Sequence, residues 1–299
     1  MYNCSVKGWK DQVEELARLG NRDRFFTFFE GGENTNAVFT QSEQIFNSMF
    51  LDLDKGLIRH RTRCLDIGYG SGAMMFAAAK HFEESHGVDV HRGFYFIRPE
   101  WTRRSQALAK RCFPLTVDGS GMLPYPDNYF DYIYSWVTIC SFEGIHVLDA
   151  YLREIYKKLR PNGVARLYFP RLCKTRNRQT LKEYMDNVAE ENRQQVQYRE
   201  GGEGTKVRAI RLVVGLMQMH RMAVLAGFNI KASGTSFVMS KGEMLVGGQH
   251  SICLSKDPVL TTTSTTSTTT TTSTTTTTAP PVKKRKTYIS NLRRRRKND

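Results

Sequence analysis

The chain has 299 residues, is 40% hydrophobic and carries a formal net charge of +15. That size supports one large α/β domain with tails, or two small domains, and no segment approaches the roughly 18 to 20 continuous apolar residues of a membrane helix. The six cysteines, Cys4, Cys64, Cys112, Cys140, Cys173 and Cys253, are scattered without a CxxC pair, which argues against a disulfide framework or a zinc site and predicts a metal-free protein of a reducing, intracellular compartment.

Residues 1–20 lack the apolar stretch of a secretory leader. Val13, Leu16, Ala17 and Leu19 lie at loose helical spacing, which predicts a short amphipathic N-terminal helix. Residues 21–257 read as the globular domain. Its first segment, "RFFTFFEGGENTNAVFTQ", sets aromatic residues beside a Gly-Gly pair. It fits a lid that closes over a ligand, and equally an aromatic helix packed on a sheet.

Strand and helix patterns then alternate. "TRCLDIG" reads as a first strand and "SGAMMFAAAKHF" as a helix entered through glycines. "SHGVDV" is a second strand ending in an acid, and residues 99–111 suit a helix with Pro99 near its start. "FPLTVDG" is a third strand, and the aromatic, β-branched "FDYIYSWVTI" a fourth. "HVLDAYLREIYKKL" places Val147, Leu148, Tyr151, Leu152, Ile155 and Leu159 on one helical face. "RPNG" stops that helix and "VARLYF" is a fifth strand. Residues 178–200 are polar with helical propensity, and residues 206–226 predict an apolar helix ending at Gly227. "FNIKASG" and "HSICLSK" give two last strands, an antiparallel finish to the sheet. The alternation predicts an α/β fold, a Rossmann-like, seven-stranded, mostly parallel and doubly wound sheet, with its ligand at the carboxyl ends of the strands.

Residues 258–299 stand apart. Thr261 to Thr278 are only Thr and Ser, with nothing to bury, so a disordered linker is expected. Residues 279–299 follow with nine Lys/Arg and one Asp, which leaves +7 for the other 278 residues. The clusters within 283–297 suit nuclear import, binding to nucleic acid or anionic lipid, or a merely solvated polycation.

The chemistry centres on "CLDIGYGSGAMM", residues 64–75. Gly68, Gly70 and Gly72 allow a tight turn that lets backbone approach a ligand, and the following helix offers free N–H groups. With Ala73 the string also satisfies a dinucleotide fingerprint. Asp89, 21 residues past Gly68, is placed to accept from ribose hydroxyls, which nicotinamide and adenosyl cofactors both carry. Asp66 begins to separate them. A carboxylate repels a pyrophosphate and attracts the ammonium group of a methionine moiety, although it can also simply brace the turn.

Several further stretches carry a resemblance. "LDIGYGSG", "HGVDV", "DGSGMLPYPDNYFDYIYSW", "YLREIYKKLRPNGVARL" and "LAGFNI" together resemble, in order and spacing, class I S-adenosylmethionine-dependent methyltransferases, nearest to the small bacterial-type methyltransferase domains. The likeness spans about residues 24–257. Tyr69 stands where that family usually has Cys, and Asn162 where it has the first glycine of a Pro-Gly-Gly turn. The resemblance implies S-adenosylmethionine as cofactor. It implies that Asp66 and Gly68 hold the methionine amino group while Gly70 and Gly72 give it room. Asp89 would bind the ribose, with Val90 beside the adenine. Asp118 would contact the adenine amine with Gly119 adjacent, and Ser135 and Trp136 would line the methyl-transfer end. Tyr69 would change the wall of the pocket.

An activated methyl group mainly needs an acceptor aligned and shielded from water, and the sequence names no dedicated base. His146 and Tyr134 are candidates, and Cys140 reads as a small core residue. There is no Pro-Cys nucleophile and no Asn/Asp-Pro-Pro-aromatic string after the fourth strand. The insertion from Arg171 to Lys206 is expected to supply substrate specificity. The expected function is methyl transfer to a small-molecule acceptor. The alternatives are a nucleic-acid or protein methyltransferase that binds through the basic tail, a non-catalytic cofactor-binding partner protein, and a nicotinamide oxidoreductase. The compartment would be the cytoplasm, or the nucleus if the tail is an import signal.

Overall fold

A computed structural model describes residues 6–30, 32–170, 197–198, 212–236 and 249–257. The strands are β1 (Arg63–Ile67), β2 (Glu84–Asp89), β3 (Cys112–Thr116), β4 (Phe130–Ser135), β5 (Leu159–Pro170), β6 (Gln197–Tyr198), β7 (Leu212–Val213), β8 (Asn229–Ser236) and β9 (Gln249–Ser255). The helices are α1 (Val6–Arg18), α2 (Arg22–Glu30), α3 (Thr35–Ile45), α4 (Asp52–Asp54), α5 (Ala73–Ala78), α6 (Phe94–Arg104), α7 (Gln106–Ala109), α8 (Ile145–Lys158) and α9 (Leu216–Leu225). A π-helical turn, Phe46–Leu51, joins α3 to α4.

Seven strands form one sheet in the order β3-β2-β1-β4-β5-β9-β8, and β6 pairs with β7 apart from it. β3, β2, β1, β4 and β5 run parallel, and β9 is antiparallel to both β5 and β8. The parallel, doubly covered sheet with an antiparallel finish is as the alternating pattern predicts. Every residue of β4 is buried, as a strand covered on both faces must be. The chain order reverses between β1 and β4, and that switch point opens the crevice where such sheets take ligands.

One face is covered by α8 and α9: Leu65, Ile67 and Ile133 from the strands meet Leu148, Leu152, Ile155 and Met219. On the other face Tyr132, Tyr134 and Tyr168 meet Met74, Phe46 and Phe50. A third cluster joins Val13 and Leu16 of α1 to Phe25, Phe26, Phe39, Tyr69, Ile97 and Trp101. The aromatic N-terminal segment is therefore a packed layer.

A buried ion pair ties α4 to the sheet. Asp54 of α4 is fully buried, and Arg166 of β5 reaches it with Nε at 2.7 Å and Nη2 at 2.5 Å. The Tyr132 hydroxyl donates to the same carboxylate at 2.8 Å, and the Cys253 thiol donates at 3.3 Å. Burial works against the charge of Arg166, but the Asp54 carboxylate overrides it and raises the guanidinium pKa.

Several boundaries differ from the sequence reading. Pro99 lies in the interior of α6, which starts five residues earlier. Tertiary contacts outweigh the lost hydrogen bond, because Ile97 and Trp101 are fully buried and the buried Glu100 faces Arg22 of α2 at 3.5 Å. The helix breaks at Ser105, whose hydroxyl caps α7 by accepting from the Leu108 N–H at 3.3 Å. "RPNG" lies inside β5, and Asn162 takes the left-handed conformation (φ 65°) that asparagine tolerates. The apolar helix starts at Leu216, after Gly215 and the short β7, and Gln197–Tyr198 is strand. The remainder of the 171–206 insertion and the 258–299 tail lie outside the described residues.

Candidate functional site

The turn after β1 is fixed from both flanks. The Gly68 N–H donates to the Val88 carbonyl of β2 at 2.8 Å, and the Gly72 N–H donates to the Tyr69 carbonyl at 2.7 Å. Gly68, Gly70 and Gly72 all have positive φ, at 82°, 50° and 73°, and glycine takes these values without steric cost. A side chain of this same chain fills the space beside each. A Cβ on Gly68 would strike Thr138. One on Gly70 would come within 3.0 Å of the Phe29 ring of α2, and one on Gly72 within 2.5 Å of the Trp101 ring. Trp101 also donates its indole N–H to the Gly72 carbonyl at 3.2 Å. The room at these glycines therefore serves close packing of the turn against α2, α6 and the segment after β4.

Asp89 closes the next strand, and its carboxylate is part of the turn. Oδ2 accepts from the Gly70 N–H at 2.9 Å and Oδ1 from the Val90 N–H at 2.7 Å. His91, fully buried, holds the other side of Gly70. Its Nδ1 accepts from the Gly93 N–H at 2.9 Å, so the ring hydrogen sits on Nε2, 3.0 Å from the Gly70 carbonyl. Gly70 is thus clamped at its N–H by Asp89 and at its carbonyl by His91. The sequence reading missed His91, and its one signal was its place two residues after the acid. Tyr69 is buried too, its ring edge-on to His91 at 5.1 Å. It packs inward where Gly87 leaves room, rather than forming a pocket wall, and burial raises its phenol pKa.

Asp66 is 2% exposed and lies opposite Gly87 and Tyr134 in the sheet. Asp118 follows β3 and is exposed, with Oδ1 accepting from the Ser120 N–H at 2.9 Å. Bonds from Ser120 hold its pKa below the ordinary carboxylate value. Gly119, beside it, has φ 82°. β3, β2 and β1 are neighbours, so three adjacent strands bring Asp118, Asp89 and Asp66 to one edge of the sheet.

The segment after β4 packs against β1 and β5. Ser135 is buried and donates to the Ile67 carbonyl at 3.0 Å. Trp136 is half-buried, 4.7 Å from the Tyr168 ring and 6.0 Å from that of Phe50. Tyr134 is fully buried. Desolvation first, and Asp66 after it, push its pKa well up, so the phenol stays protonated and suits donation rather than base catalysis. His146 stands exposed on the first turn of α8. Cys140 is buried and donates to the Val137 carbonyl at 2.8 Å, and burial pushes its pKa up to about 11, which suits an inert thiol. Among the described residues no group of three or more His, Cys, Asp or Glu is placed to hold a metal ion, and no helix is long and apolar enough to cross a membrane.

Residues 65–167 match the family model described as "Methyltransferase domain". They run from β1 through β5 and contain the glycine turn and all three acids. Residues 65–167 therefore carry a methyltransferase domain, set on the Rossmann-like sheet described above. Solved structures share the fold. A Methanosarcina mazei S-adenosylmethionine-dependent methyltransferase superposes with TM-score 0.52 at 15% identity, over 69% of this chain and 97% of its own. A Pyrococcus horikoshii protein gives 0.51 at 18%, over 78% and 97%. The N-methyltransferase NodS of Bradyrhizobium japonicum, solved with S-adenosylhomocysteine, gives 0.50 at 12%, over 83% and 98%. No curated protein matches the chain.

Proposed function

We propose that the methyltransferase domain binds S-adenosylmethionine along the carboxylate edge and transfers its methyl group to a small-molecule acceptor. The observation that carries this reading is the row of acids on β1, β2 and after β3. Carboxylates repel the pyrophosphate of a dinucleotide and suit a ligand that offers an ammonium, ribose hydroxyls and an adenine amine.

When bound, the cofactor supplies a methyl group already activated on a sulfonium. Asp66 attracts the ammonium and Gly68 lies beside it. Asp89 accepts from the ribose hydroxyls with lone pairs left over from its two backbone bonds, because an ionised carboxylate has about four acceptor sites. Val90 flanks the adenine, and Asp118 and Gly119 receive its amine. Gly70 and Gly72 keep the turn in shape. Ser135 ties the segment after β4 to β1, so that Trp136 borders the reacting end and helps to exclude water. His146, exposed on the first turn of α8, is the candidate base. A base is optional for this chemistry, because alignment supplies much of the acceleration.

Calorimetry with S-adenosylhomocysteine tests the reading. The protein should bind it and show no binding to NADH or NADPH, and Asp89→Ala should weaken it roughly tenfold or more, the loss of a charge-assisted hydrogen bond. Unchanged affinity in Asp89→Ala would overturn the site assignment.

The nine cations of residues 279–299 favour a second reading, in which the acceptor is a nucleic acid held by the tail. A variant lacking residues 258–299 separates the two. Full methyl transfer to fractionated small molecules supports the first, while loss of salt-sensitive RNA or DNA binding together with activity supports the second.

A further inference from the structure

The segment after β4 contains a backbone conformation that needs an explanation. Val137 has φ 59°, a left-handed value that a β-branched residue adopts only under constraint. The constraint is visible. The Thr138 hydroxyl lies 3.3 Å from the Gly68 carbonyl and 3.2 Å from the Trp136 carbonyl, and its single hydrogen serves both. The Cys140 thiol holds the Val137 carbonyl, and the Ser141 N–H donates to the Thr138 carbonyl at 2.9 Å. Gly68 is what makes the contact possible, because a Cβ there would overlap the Thr138 side chain. A strained turn, a glycine without room for a Cβ and one hydroxyl therefore meet at a single point, between the first glycine of the turn and the residue that borders the reacting end.

From this we infer that Thr138 is a positioning residue, whose hydroxyl fixes the segment after β4 against Gly68 and so sets the methionine end of the cofactor site. The inference rests on the cofactor reading above. Thr138 acts at Gly68, while the ribose and adenine are held by Asp89, Val90 and Asp118 on β2 and after β3. Its removal should therefore be felt by a ligand with a methionine tail and not by one without.

The experiment compares S-adenosylhomocysteine with 5′-methylthioadenosine, which keeps the nucleoside and lacks the amino-acid tail. Calorimetry is run on the full chain, on Thr138→Val (near-isosteric, no hydroxyl) and on Thr138→Ser (hydroxyl kept). Thr138→Val should weaken S-adenosylhomocysteine about tenfold while 5′-methylthioadenosine changes by less than about twofold, and Thr138→Ser should restore the first. If Thr138→Val fails to fold, Thr138→Ala replaces it with the same expected split. Equal losses for both ligands would mark a merely structural residue and overturn the inference, as would wild-type affinity in the variant. A wild-type protein that binds neither ligand would instead overturn the cofactor reading itself.

Discussion

At the scale of single residues, the glycine turn is held more by this chain's side chains than its sequence suggests. Gly68, Gly70 and Gly72 were legible as a tight turn because their spacing follows a strand and precedes a helix. What fills the space beside them was not, because Phe29, Trp101 and Thr138 come from positions 41, 29 and 70 residues away in sequence, and only the fold brings them together. Gly72 shows the consequence. Ala at that position must take φ 73° and also displace the Trp101 ring. Gly72→Ala is therefore expected to cost about 1–3 kcal/mol, read as a lower urea midpoint at unchanged slope. Trp101→Phe loses the N–H to the Gly72 carbonyl and also leaves part of a fully buried indole site empty, so it should cost about 2–3 kcal/mol, more than the hydrogen bond alone. If Gly72→Ala left the midpoint unchanged, the packing account of this glycine would fail.

At the scale of elements, the parallel strands and α8 could be read from periodicity, since each buries a regular apolar face. The boundaries that escaped are those decided by distant contacts. Nothing local announces that α6 runs through Pro99, because buried Ile97, Trp101 and Glu100 hold it there. The link between α4 and the sheet is equally silent in sequence, since Asp54 and Arg166 are 112 residues apart. It also makes a sharp prediction. Removing one partner leaves a buried charge uncompensated, so Asp54→Leu or Arg166→Met should each lose about 3–5 kcal/mol. Replacing both at once, Asp54→Leu with Arg166→Met, removes two desolvation penalties together and should cost clearly less than either single change. A double-mutant cycle by chemical denaturation measures this. Strict additivity would show that the pair does not act as a unit and that α4 is held by its apolar neighbours alone.

At the scale of the whole molecule, the doubly wound topology followed from strand–helix alternation, and the proposed site rests on acids at the strand ends. The titration behaviour did not, because it depends on which histidines are buried. His81, His86 and His220 all have pKa values below the ordinary 6.5, each with desolvation as the largest cause. For His86, stacked on Phe113 at 4.9 Å, burial outweighs the opposing pull of the Glu84 carboxylate at 3.0 Å. Each imidazole is thus easier to protonate in the unfolded chain than in the fold. The unfolded state takes up more protons once the pH drops below about 6.5, so the stability these groups contribute is complete above that value and is lost as the pH falls toward their lower folded values. Glu84, Glu100 and Glu154 sit below their ordinary 4.5, so their contribution is lost only in stronger acid. The urea midpoint should therefore fall between pH 7.5 and 5.5. His86→Phe should flatten that dependence in part, because the ring stays apolar and uncharged against Phe113 across the whole range. A midpoint independent of pH in the wild type, or a variant as steep as the wild type, would show that His86 does not titrate in the way its burial requires.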